Sequence, residues 1–425
     1  MSANGSRCHV IGAGLAGLSA AVRLAEAGRP VSLHEGAAQA GGRCRSYFDA
    51  RLDRTIDNGN HLVLSGNHSA MAFLETIGAS NGLTGDPHPE FPFVDLATRE
   101  RWAVRPNAGF LPWWVVKEDR RIPGTTLSDY LGGVALALAG RQRSVADIVP
   151  SHGVMAHRFW EPFTLAVMNA PPDEASARLL WTVIRETFLK GGERCVPQFT
   201  RAGLGAAFIE PALAYVCERD GGIRYGQRLL GLDVADGAVD RLRFKDGDVS
   251  IAPDETVVLA VSPAQLRALL PDLNSPEPAG VIVNAHFVVD KAVLPDRRPP
   301  FIGVLNASTQ WIFWRDDIVS ITISAAGALG LDRDGEDTML PALWSEVCQA
   351  LGLAQDCAFQ AGRIVKEKRA TFDQSPQAIA RRPATRTPLS NLMLAGDVID
   401  TGLPATIEGA IRSGEMAADA VLART

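Results

Sequence analysis

With 425 residues, 46% hydrophobic and 21% charged, the chain is long enough to bury cores for two or three domains. A formal net charge of -6 leaves no basic footprint, so nucleic acid is not an expected partner. The six cysteines, Cys8, Cys44, Cys195, Cys217, Cys348 and Cys357, form no CxxC pair and no cluster with histidine, so no metal site or disulfide framework is expected and a reducing compartment fits best.

Only Arg7 and about four apolar-leaning positions precede the first glycines, too few for a signal peptide, so a cytoplasmic location is expected. The segment CHVIGAGLAGLSAAVRLAEAGRPVSLHE reads as a strand (Cys8 to Ile11), a glycine turn, a helix and a second strand. Gly12, Gly14 and Gly17 make G-x-G-x-x-G, with Ala16 inside the turn. The first glycine permits the turn, the second lets backbone approach a pyrophosphate, and the third lets helix and strand pack closely. Glu35 ends the second strand, where a carboxylate accepts hydrogen bonds from an adenosine ribose and repels a 2′-phosphate. Gly41, Gly42 and Arg43 follow directly, offering free amides and a guanidinium to the pyrophosphate and ribityl region, which favours FAD over a nicotinamide.

Residues 68–192 read as a long, mostly helical insertion, with SDYLGGVALALAG and ASARLLWTVIRETFL at helical apolar spacing. GFLPWWVV (109–116), flanked by Arg105 and Lys117, and YLGGVALALAG (130–140) are apolar enough to touch a membrane surface but too short to cross it. Short alternating strands with Asp-Gly turns at 236–237 and 246–247 predict hairpins, and Val257 to Val261 reads as a buried central strand. After the proline-rich stretch 270–280, further alternating strands predict a sheet that floors a substrate cavity. ARRPATRTP (380–388) reads as a linker. NLMLAGDVID then reads as a buried strand ending in Gly396 and Asp397, followed by a helix. Asp397 can bind a ribityl hydroxyl, and the start of the helix, at Ala405, Thr406 and Ile407, can aim free amides at the flavin N1/O2 edge. GLGAAF (203–208) lacks a third glycine, so no nicotinamide domain is expected and electrons come from an external donor that the sequence does not identify.

The two ends together resemble the FAD-dependent amine oxidase and phytoene desaturase superfamily. DNGNHLVLSGNHSAMAFLETIGA (57–79), WEPFTLAVMNAPPDEASA (160–177), VKEKRATFDQSP (365–376) and LAGDVIDTGLPATIEGAIRSG (394–414) further resemble the squalene-associated members, the hydroxysqualene dehydroxylases. This resemblance implies an α/β fold: a Rossmann-type FAD-binding domain from 1–67, 193–270 and 386–425, interleaved with an α+β substrate domain from 68–192 and 271–385. It also implies backbone at Leu229 beside the adenine, and Gly59 and Asn60 beside the isoalloxazine.

The substrate implied is hydroxysqualene, a C30 isoprenoid, reduced to squalene in squalene and hopanoid biosynthesis. Phe110, Trp113, Trp114, Phe159, Trp160, Trp311, Phe313 and Trp314 are candidates to line an apolar tunnel that shields an allylic cation. His61 is the candidate proton donor, with Glu408 or a water as alternatives. Leu403, Pro404 and Ala405 stand where an amine oxidase would place cage aromatics, which favours a nonpolar substrate. A carotenoid-type desaturase needs the same FAD site and tunnel, and a non-redox lipid escort protein is the alternative from another class.

Overall fold

In the computed structural model, which describes residues 6–109, 111–296, 299–354 and 356–424, the chain opens with β1 (Cys8–Ile11), α1 (Leu15–Glu26) and β2 (Val31–His34). A hairpin, β3 (Ser46–Asp49) and β4 (Arg54–Asp57), leads to α2 (His68–Thr76), then to a second hairpin, β5 (Phe91–Asp95) and β6 (Arg101–Val104). Helices α3 (Leu131–Leu136) and α4 (Ala177–Glu186) follow. Next come β7 (Gly222–Arg224), β8 (Leu229–Ala235), β9 (Ala238–Phe244), β10 (Gly247–Ser250) and β11 (Thr256–Leu259). The last third holds β12 (Ile282–Val288), β13 (Phe301–Leu305), β14 (Trp311–Arg315), β15 (Ile318–Ile323), α5 (Glu336–Leu351), β16 (Ala361–Glu367), β17 (Leu392–Leu394) and α6 (Ile407–Leu422).

The runs of apolar residues in β1, β11 and β17 are buried throughout, as a sheet covered on both faces requires. They form a five-stranded parallel sheet in the order β7-β2-β1-β11-β17. Helices α1 and α6 cover one face. Gly414, midway along α6, lets the two helices touch: a Cβ there would stand 2.2 Å from the Ala16 carbonyl oxygen, and the Ser19 hydroxyl donates to the Ile411 carbonyl at 2.9 Å. The meander β8-β9-β10 covers the other face, and its first turn places Asp236 and Gly237 at positive φ, as the Asp-Gly signal requires.

A seven-stranded sheet, in the order β16-β12-β15-β14-β13-β5-β6, is antiparallel except for the β13/β5 pair. Its strands alternate, so each face has one character. Val283, Ala285, Phe287, Ile312, Val319 and Ile321 pack on Leu340, Leu343 and Trp344 of α5. The opposite face carries Asn284, Ser320 and Thr322 on its central strands, then Phe313, Trp311, Phe301 and Phe93 toward β5.

Two expectations need correction. Residues 68–192 are not simply helical, because Phe91–Asp95 and Arg101–Val104 complete the antiparallel sheet. FPFVDLATRERWAV carries that alternation plainly around a short polar turn. The stretch 380–388 is not a linker either. The Arg382 guanidinium is buried and donates to the carbonyls of Asp397 (2.9 Å), Val398 (3.2 Å) and Leu403 (2.8 Å), and to that of Ile399.

Candidate active site

A cavity of about 1140 Å³ runs from the C-terminal ends of the parallel strands to the polar and aromatic face of the antiparallel sheet. That exceeds the roughly 300–1,000 Å³ of ordinary small-molecule sites, so there is room for more than one ligand.

At the glycine turn the three glycines differ. A Cβ on Gly12, at φ +104, would lie 2.3 Å from the Ala260 carbonyl oxygen, and one on Gly17 would lie 1.9 Å from that of Gly12. The protein itself demands both. Gly14 has an ordinary extended backbone, φ -76 and ψ 176, and nothing lies within 4 Å of the Cβ it lacks. It lines the cavity, so what a side chain there would displace is a ligand. The Leu15 and Ala16 amides at the start of α1 meet no acceptor among the described residues, a free anion site.

Both Glu35 oxygens accept backbone amides, from Ala13 at 2.7 Å and Ala37 at 2.8 Å, which fixes the carboxylate at the rim of this turn. Gly41 and Gly42, at φ +109 and +55, fold the next loop onto it, with the Gly41 amide donating to the Ala13 carbonyl at 2.8 Å. Leu229, at the head of β8, borders the same end.

Arg43 and Asp397 form a bidentate pair, 2.8 Å on each arm, and Arg43 also donates to the Ala370 carbonyl at 2.6 Å. The Asp397 charge raises the guanidinium pKa further above its ordinary value. The carboxylate expected to meet a ribityl hydroxyl is therefore also the partner that aims Arg43. Gly396, at φ +130, makes the turn out of β17.

At the head of α6 the Thr406 hydroxyl caps the Gly409 amide at 3.1 Å, and the Ala405 amide donates to the Gln374 side chain at 2.8 Å. The Ile407 and Glu408 amides meet no acceptor among the described residues. Of the amides expected to be free, that of Ile407 is so and that of Ala405 is not, being taken by Gln374, while Glu408 adds one not expected from the sequence. Together the orphan glycine, the two sets of free amides and the Arg43–Asp397 pair fit an elongated dinucleotide with its phosphates at α1 and a flat ring at α6.

Glu408 does not fit a catalytic role. Its carboxylate is buried, accepts the Ser69 and Ala70 amides at 3.0 and 2.9 Å at the head of α2, and meets Arg412 at 3.0 Å. It is an anionic helix cap. His61 remains open: it lines the cavity between β4 and α2 and hydrogen-bonds to no described residue. Burial lowers its pKa, with Asp57 opposing and Arg43 assisting, so the neutral imidazole is the resting form.

Beside it, the Asn60 amide donates to the Ile321 carbonyl at 3.2 Å and the Thr322 hydroxyl at 3.1 Å. Thr322 in turn donates to Asn284 at 2.8 Å. Asn60 Oδ1 meets no donor among the described residues, and Gly59 stands next to it on the cavity wall.

Of the expected tunnel aromatics, Phe159, Trp311 and Phe313 line this cavity. Phe110 lies outside the described residues. Trp114 and Trp160 are buried in a neighbouring core, Trp314 points to the α5 face, and Trp113 is exposed. The cavity instead recruits Phe91, Phe93, Phe163 and Phe188. The first two were legible in the alternation of β5. Gln374 and Arg382 carried no local signal, since each acts on a loop distant in sequence.

The model of the flavin-containing amine oxidoreductase family matches residues 15–422. Hydroxysqualene dehydroxylases of Rhodopseudomonas palustris and Sinorhizobium fredii are 44% and 43% identical to the chain, each over 98% of both sequences. A 15-cis-phytoene desaturase of Synechococcus elongatus is 22% identical over 98% of the chain and 96% of its own length. Among solved structures, cyclohexylamine oxidase from Brevibacterium oxydans superposes with a TM-score of 0.72 over 99% of both chains at 13% identity. That likeness is one of fold.

Proposed function

From the premise that this chain belongs to the flavin-containing amine oxidoreductase family, and within it to the hydroxysqualene dehydroxylases, we propose that it binds FAD and reductively removes the hydroxyl of hydroxysqualene to give squalene. One observation carries the substrate reading: where the cavity meets the antiparallel sheet, the aromatic rings of Phe91, Phe93, Trp311 and Phe313 stand beside a polar patch of Asn60, His61, Asn284 and Thr322. A long hydrocarbon with one hydroxyl matches that pattern.

FAD supplies, when reduced, the hydride that replaces the hydroxyl. Gly14 and the Leu15 and Ala16 amides would hold its pyrophosphate, on the turn that Gly12 and Gly17 allow, and Glu35 the ribose, with Leu229 beside the adenine. Gly41, Gly42, Arg43, Gly396 and Asp397 would hold the ribityl chain, and Gly59, Asn60, Ala405, Thr406 and Ile407 the ring. The open Asn60 Oδ1 accepts the substrate hydroxyl proton and so orients the C–O bond. His61 donates a proton to the departing oxygen. Trp311, Phe313 and Phe93 shield the allylic cation with their π faces and keep water from capturing it.

The test is product analysis: incubated with a chemical reductant and hydroxysqualene, the purified protein forms squalene, whereas oxidised protein leaves phytoene unchanged. Desaturation of phytoene without squalene formation would replace this reading with the desaturase one.

The substrate would be drawn from a membrane surface. No helix among the described residues is long and apolar enough to cross a bilayer. Leu111, Trp113, Val116, Leu127, Leu131, Val134 and Leu138 nevertheless account for seven of the fifteen exposed large hydrophobic side chains among the described residues. Lys117 and Arg120 sit over the Trp113 ring at 5.4 and 5.1 Å, an arrangement suited to anionic headgroups above an apolar layer. The inner side of this module packs into the core that includes Phe93 and borders Phe159 and Phe163. Replacing Trp113, Leu131 and Leu138 with Asp should abolish co-sedimentation with anionic vesicles. Unchanged sedimentation would count against docking.

A further inference from the structure

A second cavity, of about 580 Å³, lies behind the wall made by Asn60, His61 and Phe313, residues that it shares with the first. Its character is different. Where the substrate end of the first carries Phe91, Phe93, Phe163, Phe188, Trp311 and Phe313, the second is faced by Asp57, Arg201, His286, Lys291, Arg315 and Asp316. It reaches the surface, because the Lys291–Asp316 pair at its rim, 3.6 Å apart, is more than two-thirds exposed on both sides.

Resting on the dehydroxylase reading, we propose that this second cavity is the water and proton port of the active site, with His61 as the relay in the shared wall. The chemistry requires such a port. In each turnover the C–O bond breaks and its electron pair leaves with oxygen, one proton joins that oxygen to make water, and a hydride from the reduced cofactor forms the new C–H bond. One proton must therefore enter, and one water must leave, at a point where a C30 chain fills the apolar route.

Inside the port, register pairs His286 of β12 with Ser320 of β15, and their Nδ1 and Oγ atoms meet at 2.8 Å. His286 is 1% exposed, yet its Nε2 has no partner among the described residues. A buried ring nitrogen on a polar cavity is satisfied by a bound water. Asp57 is held by the Ser46 hydroxyl at 2.5 Å and the Leu204 amide at 2.8 Å, with Arg315 at 3.6 Å, so it orients the site electrostatically and does not carry the proton. Among the groups at the wall, His61 alone faces both cavities with its ring nitrogens uncommitted. It can take a proton from the port at one nitrogen and give one to the substrate oxygen from the other. Burial lowers the pKa of both His61 and His286, the latter to about 4, which keeps both rings neutral between turnovers.

Two plugs test the port in the FAD-loaded full chain: Ser320→Leu from the sheet side and Thr84→Phe from the opposite wall. In single turnovers with chemically reduced flavin, each should slow squalene formation about tenfold, enlarge the solvent deuterium isotope effect and leave KM for hydroxysqualene and the flavin spectrum unchanged. Independently of turnover, solvent exchange of the His61 ring protons, followed by NMR with squalene filling the apolar cavity, should slow in both variants. Wild-type turnover, isotope effect and exchange in two folded, plugged proteins would overturn the port. So would a plug that blocks only flavin reduction by a nicotinamide, which would make this cavity the donor site. If wild-type protein forms no squalene while exchange still slows in the variants, the substrate reading fails and the port stands.

Discussion

The glycine-turn end of the cavity and its aromatic end solve the same problem, enclosing a large ligand, by opposite means. At the turn, specificity lies in what is missing: Gly12 and Gly17 leave room for protein backbone, and Gly14 leaves room for a ligand. At the sheet, specificity lies in what alternates, one face of β12, β14 and β15 feeding the core and the other the cavity. At Gly12 and Gly17 the turn leaves no room for a Cβ, whereas the sheet face should accept exchange of one apolar ring for another. Substitution at the two ends should therefore separate fold, cofactor and substrate.

The largest effect is expected at Gly17. Gly17→Val forces a side chain into the Gly12 carbonyl and should cost roughly 4 kcal/mol or more, read as loss of the cooperative thermal transition. Arg382→Leu removes the donor that holds four carbonyls of the 397–403 loop and should cost about 3 kcal/mol by urea titration, with FAD retention falling as the loop loosens. Gly14→Ala sharpens the contrast within the turn: its Cβ meets no protein atom, so apoprotein stability should hold while FAD affinity falls about tenfold, or about 1.4 kcal/mol, in a dialysis assay. At the other end, Trp311→Ala should leave flavin binding intact and raise KM for hydroxysqualene by a similar factor, about tenfold.

The smallest effect is one of pH. Burial holds the His286 pKa down at about 4, so the folded ring stays neutral while the unfolded ring charges below about 6.5. Its contribution is complete above that value and is lost as pH falls toward 4, amounting to about 1 kcal/mol by pH 5.5. Burial shifts His34 likewise, to about 4. Urea midpoints across this range should fall less steeply in His286→Gln than in the parent protein.

The turn end was readable in sequence because its constraints are local: Gly12 to Gly17, Glu35 and Gly41 to Arg43 lie within one short stretch, and spacing alone encodes the geometry. The sheet end was readable only where alternation was sought. Trp311 and Phe313 point into the cavity and Trp314 away from it, a distinction set by register and invisible to a count of aromatics. Glu408 looked reactive beside the helix start, but the Ser69 and Ala70 amides that engage it come from nearly 340 residues away. Arg382 was hidden for the same reason in reverse, since a basic residue among prolines reads as solvent-exposed until the carbonyls it serves are in place. Long-range polar partners are what sequence patterning cannot encode.

The central claim is that reduced FAD in this chain gives its hydride to hydroxysqualene. The most direct measurement is anaerobic: the bound flavin is reduced with dithionite, hydroxysqualene is added, and flavin reoxidation is followed optically while squalene is counted by mass spectrometry. The account predicts reoxidation with one squalene formed per flavin. A flavin that stays reduced with hydroxysqualene, in a protein whose oxidised form is bleached by a polyene precursor, would contradict it.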